Sequence, residues 1–179
     1  PVWSSPIGAG YSGPTISDHR VYFTSYLDKP KQVEQVHCLD RFTGKEIWKY
    51  VYPCEYQDIG YPLGPRGAVS IFDGKAYALG TMGNFHCLDA ETGKPLWEKN
   101  FATDFEANIP IWGIAASPVV DHEHVYLQVG GRPGACVIAF DKNTGEEKWT
   151  ALNGDASYSA PRLIPWGGRS ALLVWTGDW

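Results

Sequence analysis

The chain has 179 residues and a net charge of −5, and it is 44% hydrophobic, with 8 Trp and 10 Tyr but only 1 Met. That length suits one ordinary domain with a sizeable core, and an acidic balance without a basic run argues against nucleic-acid partners and anionic membrane surfaces. No apolar stretch reaches the roughly 20 residues of a transmembrane segment, while 20 Gly and 13 Pro imply the frequent turns of an all-β chain.

The chain opens at Pro1 rather than Met and shows no leader-like segment. The expectation is a processed product or a piece of a longer chain, with no bearing on compartment. Val2-Trp3 reads as the end of a preceding strand. In the first unit, residues 1–50, a strand is expected over Pro14 to Ser17, a tight turn at Asp18-His19, and a second strand over Arg20 to Ser25. Two more strands follow, joined by Asp40-Arg41-Phe42-Thr43-Gly44 and ending near Trp48. The second unit, residues 51–99, repeats this plan. Strands run from Ala68 to Phe72 and Lys75 to Leu79 about the hairpin signal Asp73-Gly74, then from Phe85 to Leu88 and Pro95 to Glu98. The third unit, residues 100–149, places strands over Ser117 to Val120 and His124 to Val129. An incomplete fourth, residues 150–179, has strands near Arg162-Leu163-Ile164 and Ala171 to Trp175.

One phrase recurs in these units: Asp, two variable residues, Thr-Gly, three variable residues, Trp. It runs Asp40 to Trp48, Asp89 to Trp97 and Asp141 to Trp149, a period of about fifty residues that marks a repeat array. Strand-like residues on both sides make it a hairpin connection. Gly44, Gly93 and Gly145 take the left-handed conformation there without a Cβ clash, and each Asp accepts hydrogen bonds from its own turn. Each Trp ends a unit, where a flat ring packs on the next. Four short strands per roughly fifty residues describe a β-propeller blade. About three and a half blades fall short of the usual four to eight of a closed ring. Missing blades or a second copy would be needed to close it.

The cysteines are Cys38, Cys54, Cys87 and Cys136. Cys38 and Cys87 share a repeat position with Ala139, so a small buried side chain is expected there. No Cys pair has metal-site or vicinal spacing, although a disulfide through Cys54 stays open. His37 and His86 follow the repeat. His122 and His124 read as turn residues, and zinc finds no further ligands nearby. Asp104 and Glu106 are a possible carboxylate pair in a connection between units, without a partnered base. Asp178 lies beside Trp175 and Trp179. No Ser-His-Asp arrangement and no phosphate loop is legible, so no catalytic, cofactor-binding or metal residue is assigned.

The connections between units each carry an aromatic followed by a proline: Tyr11 and Pro14, Tyr61 and Pro65, Trp112 and Pro118, Tyr158 and Pro161. In a propeller these connections gather at one mouth of the central channel. Tyr61, Arg66, Trp112 and Tyr158 are the candidate ligand-binding residues, an aromatic and partly cationic rim for a peptide, glycan or small molecule. The competing reading is that the rings wedge neighbouring blades at a fixed geometry.

At its Asp-x-x-Thr-Gly-x-x-x-Trp copies, the chain resembles the PQQ-like β-propeller repeat family, which includes quinoprotein alcohol dehydrogenases and BamB-type assembly lipoproteins. The resemblance implies that Trp48, Trp97 and Trp149 dock on neighbouring blades, through a motif built on Asp40, Gly44, Asp89, Gly93, Asp141 and Gly145. It implies a non-catalytic extracytoplasmic scaffold or binding module of the BamB-like branch, periplasmic or extracellular, with a protein, peptide or glycan partner. The alternative it implies is a segment of a PQQ-dependent oxidoreductase, with PQQ held over calcium beside a vicinal Cys pair that this sequence lacks.

Overall fold

A computed structural model describes residues 2–177. The first sheet is β1 (Thr15–Ser17), β2 (Arg20–Leu27), β3 (Val33–Asp40) and β4 (Glu46–Pro53). The second is β5 (Ser70–Phe72), β6 (Lys75–Leu79), β7 (Asn84–Asp89) and β8 (Pro95–Asn100). A short helix α1 (Phe101–Phe105) leads to the third, β9 (Val119–Val120), β10 (His124–Gln128), β11 (Val137–Asp141) and β12 (Glu147–Ala151). A hairpin of β13 (Arg162–Trp166) and β14 (Arg169–Leu173) forms the last. The strands of each sheet pair in sequence order, and every pairing is antiparallel. The first strands meet across sheets, β1 against β5 and β5 against β9. This is the arrangement of a partial β-propeller.

The repeated phrase explains the β3–β4, β7–β8 and β11–β12 connections atom by atom. Asp40 Oδ1 accepts the N–H groups of Phe42 and Thr43 at 3.0 and 2.7 Å and the Thr43 hydroxyl at 2.8 Å. The Gly44 N–H returns to the Asp40 carbonyl at 2.8 Å. Asp89 and Asp141 accept the same pair of backbone N–H groups in their turns. Bonding from Thr43 and Thr92 holds the Asp40 and Asp89 carboxyls below their usual range. Gly44, Gly93 and Gly145 have φ of 70°, 73° and 71°. Past each turn the Trp faces the small residue of the neighbouring strand: Cys38 pairs with Trp48, Cys87 with Trp97, Ala139 with Trp149. The register then slips by one residue in all three sheets, a β-bulge that sharpens the local twist.

Face-to-face packing makes the core. Between the first two sheets lie Tyr22, Val36, Cys38, Trp48, Tyr52, Val69, Ala76, Ala78, Leu88 and Ala90. Between the second and third lie Tyr77, Leu79, Phe85, Phe101, Phe105, Ile114, Val125, Leu127, Ile138 and Phe140. Fully burying a Leu, Ile, Val or Phe side chain contributes about 1.5–3 kcal/mol, so each junction is a strong contact. All four cysteines are buried and none is in a disulfide, so no bridge forms through Cys54 among the described residues.

The first strand of each four-stranded sheet is shorter than its sequence suggests. Pro14 and Pro118 have no N–H to give a ladder, and the Ala68 N–H goes instead to Ser117 Oγ at 2.9 Å. The last hairpin sits earlier than expected at its second strand. Gly167 and Gly168, with φ of 56° and 77°, turn the chain so that Trp166 pairs with Arg169. That leaves Trp175 outside the strand. Helix α1 falls where only a connection is expected. The Asn100 side chain caps it by accepting the Thr103 N–H at 3.2 Å. Phe101 and Phe105, one turn apart, are both buried, and Glu106 ends it in the left-handed region. No described helix is long and apolar enough to cross a membrane.

Candidate functional site

The loops that precede each sheet's first strand meet at one end of the sheets. The Tyr11 N–H donates to the Pro65 carbonyl at 2.8 Å, and the Gly60 N–H to the Ile111 carbonyl at 2.7 Å. The Trp112 N–H donates to the Tyr158 hydroxyl at 3.3 Å. Along this seam runs a row of rings. Tyr11 meets Tyr61 edge-on at 5.5 Å between centroids, Tyr61 lies 6.2 Å from Trp112, and Trp112 stacks on Tyr158 at 5.1 Å. All four rings are about half exposed, from 41% for Tyr158 to 51% for Trp112.

The structure brings Tyr61, Arg66, Trp112 and Tyr158 around one hollow of about 360 Å³, with Ala115 as its remaining wall. Arg66 plays a different part from the rings. Its guanidinium lies 5.7 Å from the Tyr11 ring and 5.9 Å from the Tyr61 ring. One terminal nitrogen donates to the Gly64 carbonyl and, at 3.3 Å, to Thr81 Oγ1; the other donates to the Pro62 carbonyl at 3.1 Å. The arginine thus closes its own loop, and its Nε is buried with no partner among the described residues.

Beneath it lies a hub that the sequence does not announce. Glu34 is fully buried. Its carboxylate accepts the Tyr52 hydroxyl at 2.6 Å, the Thr81 N–H at 3.1 Å and the Tyr56 hydroxyl. Tyr56 Oη and Thr81 Oγ1 are 2.6 Å apart. Burial, followed by the nearby Glu34 charge, pushes the Tyr52 and Tyr56 hydroxyls well above the usual tyrosine range. The Thr81 carbonyl accepts the Ile114 N–H at 2.9 Å. Thr81 therefore ties the loop carrying Tyr61 and Arg66 to the loop carrying Trp112. One sequence signal was present. Counted back from the turn Asp, the position of Glu34 holds Gly83 and Ala135 in the next two repeats, so a carboxylate there breaks the pattern.

The motif residues other than Trp149 sit at the junctions between sheets. The Trp3, Trp48 and Trp97 indole N–H groups donate to the carbonyls of Arg41, Ala90 and Lys142 at 2.8, 3.1 and 3.2 Å. Each of those residues follows a turn Asp. Trp149 is 39% exposed, and its ring contact is Tyr126 on its own sheet at 5.8 Å.

The remaining candidates disperse. Asp104 accepts the Asn100 N–H and the Thr103 hydroxyl inside α1, and Glu106 caps that helix. His122 packs edge-on against Phe72, and His124 lies beside Tyr126. Asp178 and Trp179 lie outside the described residues. Among the described residues no three His, Cys, Asp or Glu side chains gather to hold a metal ion.

Sheets of this order, joined by these turns and stapled by these indoles, define a repeat propeller. The family model described as outer membrane protein assembly factor BamB matches residues 34–174, and the chain belongs to this PQQ-like β-propeller repeat family. Among solved structures, it is similar to a europium-containing methanol dehydrogenase (24% identity, 80% of this chain, 25% of that one, TM-score 0.59). It is similar to the quinohemoprotein alcohol dehydrogenase of Comamonas testosteroni (26% identity, 80% of this chain, 21% of that one, TM-score 0.59). It is also similar to BamB of Moraxella catarrhalis (18% identity, 86% of this chain, 43% of that one, TM-score 0.53). The chain thus spans a quarter or less of the two dehydrogenases and under half of BamB. No curated protein gives a match.

Proposed function

We propose that this chain is part of a non-catalytic propeller that binds a partner through the aromatic hollow, outside the cytoplasm as the family resemblance implies. The observation that carries this reading is the row of half-exposed rings around a hollow of about 360 Å³. Large aromatics held in the open by loop-to-loop hydrogen bonds expend apolar surface that a purely structural wedge would bury. Titration of the full chain with arrays of soluble peptides and oligosaccharides, in the native protein and in Trp112→Ala, tests it. Binding that disappears in the variant at an unchanged melting temperature supports the reading. A lowered melting temperature with no ligand in either protein returns the rings to the wedge role.

The second reading, a segment of a PQQ-dependent oxidoreductase, is favoured by 26% identity to the quinohemoprotein alcohol dehydrogenase. The described residues do not fit the cofactor site it implies. The four cysteines are separately buried, and no carboxylate set converges for a cation. Alcohol-dependent dye reduction by the full-length protein supplied with PQQ and calcium would reverse this preference.

A further inference from the structure

We infer that a cleft between the first two sheets takes a primary alkylammonium, such as a lysine side chain on another protein. The cleft is independent of the aromatic hollow and lies at the other end of the sheets: the hollow's loops precede β1 and β5, and the Asp18 and Asp73 turns follow them. The chain supplies its own example of the occupant. Between the second and third sheets, the residue after the turn Asp is Lys142, which is buried. Its Nζ lies 2.6 Å from Asp73 Oδ2 and 5.0 Å from the centroid of the Phe72 ring.

Between the first two sheets the same frame stands without the lysine. Trp48 and Tyr22 donate to the Ala90 carbonyl as Trp97 and Tyr77 donate to that of Lys142. Asp18 holds the place of Asp73. Ser17 pairs with Arg20 as Phe72 pairs with Lys75, and the two aspartates share the left-handed backbone, with φ of 52° and 49°. Ala90 therefore stands where Lys142 stands, and its methyl brings no charge to Asp18. A cavity of about 610 Å³ opens beside it. Arg20 does not take the lysine's place, because its Nη1 donates to the carbonyls of Ala90 and Glu91 at 3.1 and 2.6 Å.

The lining suits both parts of such a ligand. Tyr22, Ile71 and Phe72 offer apolar surface, on which a four-carbon stem lies while its charged head stays at the polar rim. Asp18, Asp73, Asp89 and Glu91 bring carboxylates to that rim, against Arg20 as the one permanent cation in the lining. Asp73 already holds Lys142, and Asp89 spends one oxygen on its own turn. The Asp18 and Glu91 carboxylates have no partner among the described residues; Asp18 is bonded only at its carbonyl. An ammonium is a compact charge with three donors, and at Asp73 one carboxylate oxygen suffices for it. An exposed ion pair alone holds little, so the apolar walls are what separate this cleft from a merely acidic surface.

The test is an NMR titration of the full chain with a Gly-Ser peptide, blocked at both ends, that carries one central lysine. The signal followed is the Trp48 indole N–H, whose acceptor is the Ala90 carbonyl. Parallel titrations replace the lysine with acetyllysine, norleucine or arginine, and one uses n-butylamine alone. The inference expects a saturable shift with the lysine peptide and none with acetyllysine or norleucine. The apparent Kd should rise about fivefold in Asp18→Asn, a change that keeps the turn because Asn also tolerates the left-handed region. The shift should vanish in Ala90→Lys, where the protein's own side chain fills the place; should that variant fail to fold, Asp18→Asn decides alone. Saturation by n-butylamine without the peptide supports the site and makes its ligand a free amine. Equal binding of norleucine or acetyllysine overturns the inference and leaves an apolar crevice, and equal binding of arginine leaves an acidic surface without preference. An unchanged Kd in Asp18→Asn overturns it, as does the absence of any saturable shift with the lysine peptide and n-butylamine.

Discussion

Glycine 93 is constrained twice. Its φ of 73° lies in the left-handed region, and a Cβ placed on it would stand 2.6 Å from the Trp48 indole. Gly44 meets Trp3 and Gly145 meets Trp97 in the same way. The sequence discloses the first constraint, because Thr-Gly sits where a hairpin turn must be. It is silent on the second, which depends on a ring from another sheet. Gly93→Ala should therefore cost about 2–4 kcal/mol, from roughly 1 for the backbone and 1–3 for overpacking. Urea denaturation will measure it, and a loss under about 1 kcal/mol would mean that the indole is not seated there. His86 permits a pH prediction. Burial lowers its pKa from 6.5 to about 4, so the folded chain keeps it neutral where the unfolded chain takes a proton. Its contribution is complete above pH 6.5 and is lost as pH falls toward about 4, by about 1–3 kcal/mol. Comparing His86→Phe with the native protein in urea at pH 7 and pH 4.5 isolates this loss; an equal pH dependence in both would dismiss it.

Strands and loops show why neighbouring repeats differ where they do. In the first sheet, His37 Nε2 lies 2.9 Å from Ser25 Oγ. In the second, Gly80 occupies the position equivalent to Ser25, and His86 Nε2 has no partner among the described residues. The reason is Glu34. A Cβ at Gly80 would fall 2.2 Å from its Oε2 and 2.5 Å from the Tyr52 hydroxyl. Space for a buried carboxylate has displaced the hydroxyl that would have served the imidazole. Glu34→Ala orphans three donors and should cost about 3–5 kcal/mol, and Gly80→Ser about 2–3 kcal/mol. Combined, they should cost at least about 1 kcal/mol less than their sum, because the nearer collision, with the carboxylate, is gone. Strict additivity in a double-mutant cycle would show that the two sites do not touch. At this scale strand order and turn type were legible in the sequence, because they follow local patterns. Helix α1 and the Glu34 hub were not. Five residues are too few to show a period, and burial of a lone acid depends on Tyr52 and Tyr56 arriving from elsewhere in the chain.

Across the whole molecule, stability is unevenly spread. The first three sheets share two packed junctions, whereas the β13–β14 hairpin has only two strands and exposes Trp166 at 73% and Leu173 at 58%. Its amides should exchange with deuterium well ahead of those in β6, β7, β10 and β11. Equal protection would require a packed face that the described residues do not form. Trp48 is 8% exposed and Trp149 39%, so Trp48→Ala should cost about 3–5 kcal/mol and Trp149→Ala far less. The repeat made the propeller legible from sequence alone, and the aromatic-then-proline connections pointed to the four side chains that share the hollow. Sequence did not reveal that Arg66 serves its own loop.

The Trp3, Trp48 and Trp97 indoles are each held by a main-chain oxygen, and the side chain of the residue supplying it is free to change. The protein has Arg41, Ala90 and Lys142 at these places. It has used the third to set Lys142 Nζ 2.6 Å from Asp73 on the adjoining sheet. At the preceding seam, where Ala90 is too short to reach across, Arg20 of the first sheet bonds the carbonyls of Ala90 and Glu91 instead. One fastening is thus uniform and indifferent to sequence, while a second beside it is rewritten from seam to seam. Such a scaffold can diversify one joint at a time without loosening its other joints.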